Sequence, residues 1–91
     1  MKHAGPAALD RLEPYLEQLR KLPGLKEKSR GIFYRGSRAF LHFHEHGEEF
    51  YADVRLKTEL ERRPFTTRAD RSDLMKRVRA KMADGTSRRA R

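Results

Sequence analysis

The chain has 91 residues, enough for one hydrophobic core and too few for two domains. It has no cysteine, which excludes disulfides, thiolate metal sites and a cysteine nucleophile, and it has no apolar run long enough to cross a bilayer. With 22 Lys and Arg against 13 Asp and Glu, the formal charge of +9 points to a polyanionic partner.

The opening stretch, MKHAGPAALD, lacks the apolar core of a secretory signal, so the expectation is a soluble cytoplasmic protein without a membrane partner. From Ala8 onward, Leu9, Leu12, Tyr15, Leu16, Leu19 and Leu22 recur at helical spacing and gather on one stripe, which predicts a helix. Pro14 falls on the opposite face. It either bends this helix toward the core or marks the first turn of a helix that starts near Glu13. Leu22-Pro23-Gly24 ends the helix, and Leu25 to Arg30, rich in Lys and Arg, reads as an exposed connection.

The stretch GIFYRGSRAFLHFHEHGEEFYADVRL, Gly31 to Leu56, reads as three antiparallel strands joined by two tight turns. Gly36-Ser37 fits a two-residue loop of the Gly-X type, which sets Tyr34 opposite Ala39, Phe33 opposite Phe40 and Ile32 opposite Leu41. For the second turn, His46-Gly47 is taken as the central pair. That sets His44 opposite Glu49, Phe43 opposite Phe50, His42 opposite Tyr51, Leu41 opposite Ala52 and Ala39 opposite Val54. Opposed residues share a face, so Ile32, Tyr34, Ala39, Leu41, Phe43, Phe50, Ala52 and Val54 are expected inward. The outer face then carries Phe33, Arg35, Phe40, His42, His44, Glu49, Tyr51, Asp53 and Arg55.

Arg62 to Thr67 is expected to add a fourth strand with Phe65 inward, confined to an edge by Pro64. Thr67 and Asp70 fit a capping box, and Leu74, Met75, Val78 and Met82 form the stripe of a second helix that ends at Gly85. The expected fold class is α+β: a helix, a three- or four-stranded antiparallel meander and a C-terminal helix, with both helices on one sheet face. Residues 1–85 form the single domain, and 86–91, TSRRAR, a disordered basic tail.

The helix ending in Leu22-Pro23-Gly24, Glu27 shortly after it, a turn at Gly36 and an aromatic at Phe40 opening the next strand together resemble the N-terminal half of the MmcQ/YjbR-like proteins. The resemblance covers Tyr15 to Leu56. It implies a small bacterial α+β protein, related in shape to the frataxin-like fold, of a family often described as DNA-binding. The longer C-terminal region of that family is absent here, and a short basic helix stands in its place.

Three features carry the functional reading. His42 and His44, two apart on a strand and so about 6.6 Å from one another on one face, form with Glu49 a two-His, one-carboxylate pattern that suits a metal. The alternative, which is preferred, is strand-surface histidines paired with Glu49 and Tyr51, so neither metal nor cofactor is expected. Phe33, Phe40 and Tyr51 would form an exposed aromatic patch on the outer face, which calls for stacked bases, a second copy in a homodimer, or cover by residues before Leu9. Finally, Lys57 to Arg91 holds twelve basic and five acidic residues, whereas Gly31 to Leu56 has a net charge of −1. Phosphate contacts are therefore expected from Arg62, Arg63, Lys76, Arg77, Arg79, Lys81, Arg88, Arg89 and Arg91. No nucleophile elbow or phosphate-cradling glycine loop occurs, and no catalytic residue is assigned. The expectation is a non-enzymatic interaction module that binds nucleic acid through phosphates, the alternative being a homodimeric module that binds a protein or small ligand on the outer sheet face.

Overall fold

The structure is a computed structural model that describes the backbone of residues 2–89 and the side chains of residues 2–83. Its elements are β1 (Lys2–His3), α1 (Pro6–Arg20), β2 (Leu25–Ser29), β3 (Ile32–Arg35), β4 (Arg38–His46), β5 (Glu49–Val54), β6 (Glu61–Pro64) and α2 (Arg68–Arg89). Strands β2 to β6 form an antiparallel meander in chain order, and β1 pairs with β4, giving a six-stranded sheet. Because β3 pairs with the first half of β4 and β1 with Glu45 and His44 near its end, β1 continues the β3 position along the same side of β4. No helix among the described residues is long and apolar enough to cross a membrane.

Both helices close over one sheet face, as the stripes require. Leu9, Leu12, Leu16 and Leu19 of α1 and Leu74, Met75, Val78 and Met82 of α2 meet Leu41, Phe43, Phe50, Ala52, Val54 and Phe65 in one buried cluster. Helix α1 starts at Pro6, earlier than either expected start, because Gly5 is the cap residue and proline suits the first helical position. Pro14 lies inside the helix, exposed on its far side. Glu27 ties β2 to α1: it accepts the Gly31 N–H at 2.8 Å and the guanidinium of Arg20, which also bonds Glu13 and Glu17. The capping box is present, with Asp70 N–H donating to Thr67 Oγ1 and Thr67 N–H to Asp70 Oδ2, both at 3.0 Å. The helix passes the expected stop at Gly85 and continues through Arg89, so residues 86–89 of the expected tail are helical; Ala90 and Arg91 lie outside the described residues.

Two strands were not expected. In β2 only Leu25 and Glu27 are half-buried, and its lysines point outward, as on an edge strand that blunts pairing with other chains. The strand expected over Arg62 to Thr67 lies at the other edge as β6, which ends at Pro64, with Phe65 fully buried just after it.

The register departs from expectation at both turns. The β4–β5 loop is Gly47-Glu48, a second Gly-X turn, with φ +62° at Gly47 and no positive φ at His46. Pairing is therefore displaced by two residues: Phe43 faces Ala52, Leu41 faces Val54, His42 faces Asp53 and His44 faces Tyr51. A displacement of two preserves the faces, because side chains alternate with a period of two. The β3–β4 turn does use Gly36-Ser37, but a bulge after Tyr34 and Ala39 leaves Phe40 unpaired, so Phe33 faces Leu41 and Ile32 faces His42. A displacement of one inverts the faces beyond it. Phe33 and not Ile32 enters the core, with 0% of Phe33 and 1% of Phe40 exposed, and the expected outer aromatic patch does not exist.

The sheet separates charge along its length. All three cations of Gly31 to Leu56, Arg35, Arg38 and Arg55, lie at the end where β4 begins. Three of its four acids, Glu45, Glu48 and Glu49, lie at the far end of β4, about 25 Å away at about 3.3 Å per residue.

Candidate functional site

Two clusters of polar side chains stand out, one on the open sheet face and one at the cationic end. On the open face the antiparallel register puts His3, His44 and Tyr51 in one row across the sheet and His42, Asp53 and Arg62 in the next. Three imidazoles consequently meet. The rings of His3 and His44 are 4.7 Å apart between centroids, those of His42 and His44 5.0 Å, and those of His3 and His42 5.3 Å. One nitrogen from each ring lies within 4.8 Å of the other two.

Asp53 organises this group. Its carboxylate accepts Nε–H and Nη2–H of Arg62 at 2.8 and 3.1 Å, a bidentate pair that holds it below the usual carboxylate range against the effect of burial. Its Oδ2 lies 3.0 Å from His44 Nε2 and 4.0 Å from His42 Nε2. Burial holds the His42 imidazole below its ordinary range, opposed by the nearby Asp53 charge and reinforced by His44, His3 and Arg62. His44 is the floor of the group at 5% exposure, and His3 is its exposed member. Nδ1 of both His42 and His44 is buried without a hydrogen-bond partner. Glu49, expected beside His44, instead pairs with His46 across the turn and accepts the Tyr51 hydroxyl at 2.8 Å, outside the group.

At the cationic end, a cleft of about 190 Å³ is lined by Arg35, Arg38, Arg55, Lys57 and Lys81, with Ala39 and Phe40 as its apolar wall. Among the described residues, no acidic one lines it. The bulge creates this place: it turns Phe40 under the cleft, and the Phe40 carbonyl accepts the Arg55 N–H at 2.8 Å. The Arg55 guanidinium donates to the carbonyls of Ala39 and Thr58, which fixes its position without neutralising it. Arg35 and Arg38 are directly opposed across the hairpin, an arrangement in which like charges repel.

The expected phosphate contacts divide in the structure. Arg62 is held by Asp53, Arg63 pairs with Glu61 at 3.2 Å and lies 4.0 Å from Asp73, and Arg77 pairs with Asp73 at 2.9 Å. Lys76 and Arg79 are exposed on α2, and Lys81 lines the cleft. The side chains of Arg88 and Arg89, and Arg91 altogether, lie outside the described residues. Of the expected outer face, His42, His44, Tyr51 and Asp53 do share it, Arg35 belongs to the cleft, and Phe33 and Phe40 are buried, which removes the observation behind a homodimer.

His3 escaped the sequence reading because a two-residue strand has no periodicity to betray it. The cleft escaped because its five cations come from four separate places in the chain, three of them inside a segment of net negative charge. Compared with known protein families, curated proteins and solved structures, the chain matches none.

Proposed function

We propose that this chain is a non-enzymatic module that binds nucleic acid through its phosphates, anchored at the cationic cleft. The carrying observation is that Arg35, Arg38, Arg55, Lys57 and Lys81 surround one cleft with no carboxylate among the described residues that line it. Five cations held together raise each other's energy, and an anion in their midst relieves that repulsion. Three of them are arginines, Arg55 fixed by backbone carbonyls and Arg35 and Arg38 opposed across the hairpin, and guanidinium suits bidentate contact with phosphate oxygens. Lys76 and Arg79 are exposed on the same helix as Lys81 and add to its cationic charge. The resemblance over Tyr15 to Leu56 to proteins described as DNA-binding points the same way. The described residues of the lining offer no carboxylate, imidazole or hydroxyl side chain to act on a bound strand, which supports binding without chemistry.

The test is fluorescence anisotropy with a labelled 20-base-pair duplex and its single strand across a series of salt concentrations. About four to six phosphate contacts give a slope of log affinity against log salt near −4 to −5 on duplex DNA. The double variant Arg38→Gln with Lys57→Gln changes two exposed residues and should flatten that slope by about 2, at roughly one unit per contact. The strand should be recovered intact. An unchanged slope in the double variant, or no binding to either form at low salt, would reject the proposal.

A further inference from the structure

We propose that His3, His42 and His44 form a three-imidazole site for a borderline divalent transition metal, of the kind represented by zinc, with Asp53 as its orienting carboxylate. The ordinary account of three neighbouring histidines is aromatic packing on a sheet face. Three observations go beyond it.

The first is convergence. Three rings from two strands each present a nitrogen within 4.8 Å of the other two. Zinc–imidazole bonds of about 2.0 to 2.1 Å in a tetrahedron put ligand nitrogens about 3.3 to 3.4 Å apart, so closure asks for an inward movement of about 1.5 Å at most. His3, exposed and carried on a two-residue strand, is free to supply most of that movement.

The second is a missing partner. His44 is 95% buried, and its Nε2 faces Asp53 Oδ2 at 3.0 Å. In the tautomer that donates from Nε2 to Asp53, which Arg62 grips with two hydrogen bonds, the ring lone pair is on Nδ1, which is buried and unpartnered. Nearly all buried polar atoms in folded proteins have a partner. A Lewis acid bound at that nitrogen would supply one.

The third is the carboxylate itself. Metal-binding imidazoles commonly donate their second N–H to a carboxylate that fixes tautomer and ring orientation, and Asp53 stands in that relation to His44 while Arg62 fixes Asp53 in turn. Imidazole-only donor sets favour zinc, copper, nickel and cobalt over magnesium and calcium, which prefer oxygen. Three protein ligands leave a tetrahedral ion one position for water or another ligand, on the side of the exposed His3. Binding would also add a clip between β1 and β4, beside β1's short pairing, the Ala4 N–H to the Phe43 carbonyl and the Gly5 N–H to Glu45 Oε2 at 2.7 Å.

The experiment uses tag-free, chelator-treated full-length protein, titrated with zinc by calorimetry and with cobalt by visible absorption. Expected are one ion per chain, the absorption of tetrahedral cobalt, and a higher melting temperature with zinc. His3→Ala, at an exposed position, should keep the fold by circular dichroism and weaken binding at least about tenfold, and Asp53→Asn should weaken it about 10- to 100-fold. His46→Ala, an exposed histidine outside the trio, should bind as the unaltered protein does. Absence of saturable binding, or affinity that survives His3→Ala or falls with His46→Ala, overturns the site. Full affinity in a folded Asp53→Asn variant overturns the role given to Asp53.

Discussion

Replacing Phe33 by alanine and, separately, Ile32 by alanine tests the bulge on which the sheet's register rests. Phe33 is fully buried and Ile32 only partly, although the turn at Gly36-Ser37 taken alone would exchange those roles. A phenylalanine buries about 150 to 200 Å² here, which at about 25 cal/mol per Å² is about 4 to 5 kcal/mol. That agrees with the roughly 3 to 5 kcal/mol observed for Phe→Ala in cores. Ile32→Ala, at a half-exposed position, should cost about 1 to 2 kcal/mol. A domain of this size has a total stability of about 5 to 14 kcal/mol, so Phe33→Ala should bring it close to the unfolding threshold and Ile32→Ala should not. Since the chain has no tryptophan, urea unfolding is best followed by far-ultraviolet circular dichroism. The slope with denaturant should be unchanged while the midpoint falls much further for Phe33→Ala. An Ile32→Ala variant as unstable as Phe33→Ala would refute the bulge and restore the register set by the turn alone.

Two further outcomes follow from the joints between elements. Thr67→Ala removes the hydroxyl that caps α2 and should lower stability by about 1 kcal/mol in the same assay; no measurable loss would show that the cap is redundant. Glu27 is held below its ordinary value near 4.5, first by the Arg20 guanidinium and then, against burial, by the Gly31 N–H. Its unfolded form therefore takes up a proton at higher pH than its folded form. The stability it confers is fully present above about 4.5 and is lost as pH falls through the folded value. Glu27→Gln should be less stable at neutral pH and lose stability less steeply on acidification. An acid limb identical to that of the unaltered protein would show that Glu27 is not linked to folding.

How much of the fold could be read from the chain depended on the range of the signal. The leucine stripe of α1 and the Thr67 and Asp70 box are local patterns and lie where they were expected, and the edge strand expected over Arg62 to Thr67 is present but ends at Pro64. The Gly-X rule also held at both turns; the error at the second lay in reading His46-Gly47 when Gly47-Glu48 obeys the same rule. That error was harmless to the faces because it was an even displacement. The bulge at Phe40 was not harmless, since an odd displacement moved Phe33 inward, buried Phe40 and erased the patch that suggested a dimer.

The sequence alone determined the fold class, both helices, the three central strands and the inward set of Leu41, Phe43, Phe50, Ala52 and Val54, because side-chain period and turn chemistry act over a few residues. Only the tertiary structure decided the candidate sites. His3 reaches His42 and His44 through a pairing that spans some forty residues of chain, and the cleft gathers Arg35, Arg38, Arg55, Lys57 and Lys81 from β3, β4, the segment after β5 and α2. Neither arrangement leaves a local trace, since a net charge summed along a segment carries no record of which end of a strand each charge occupies.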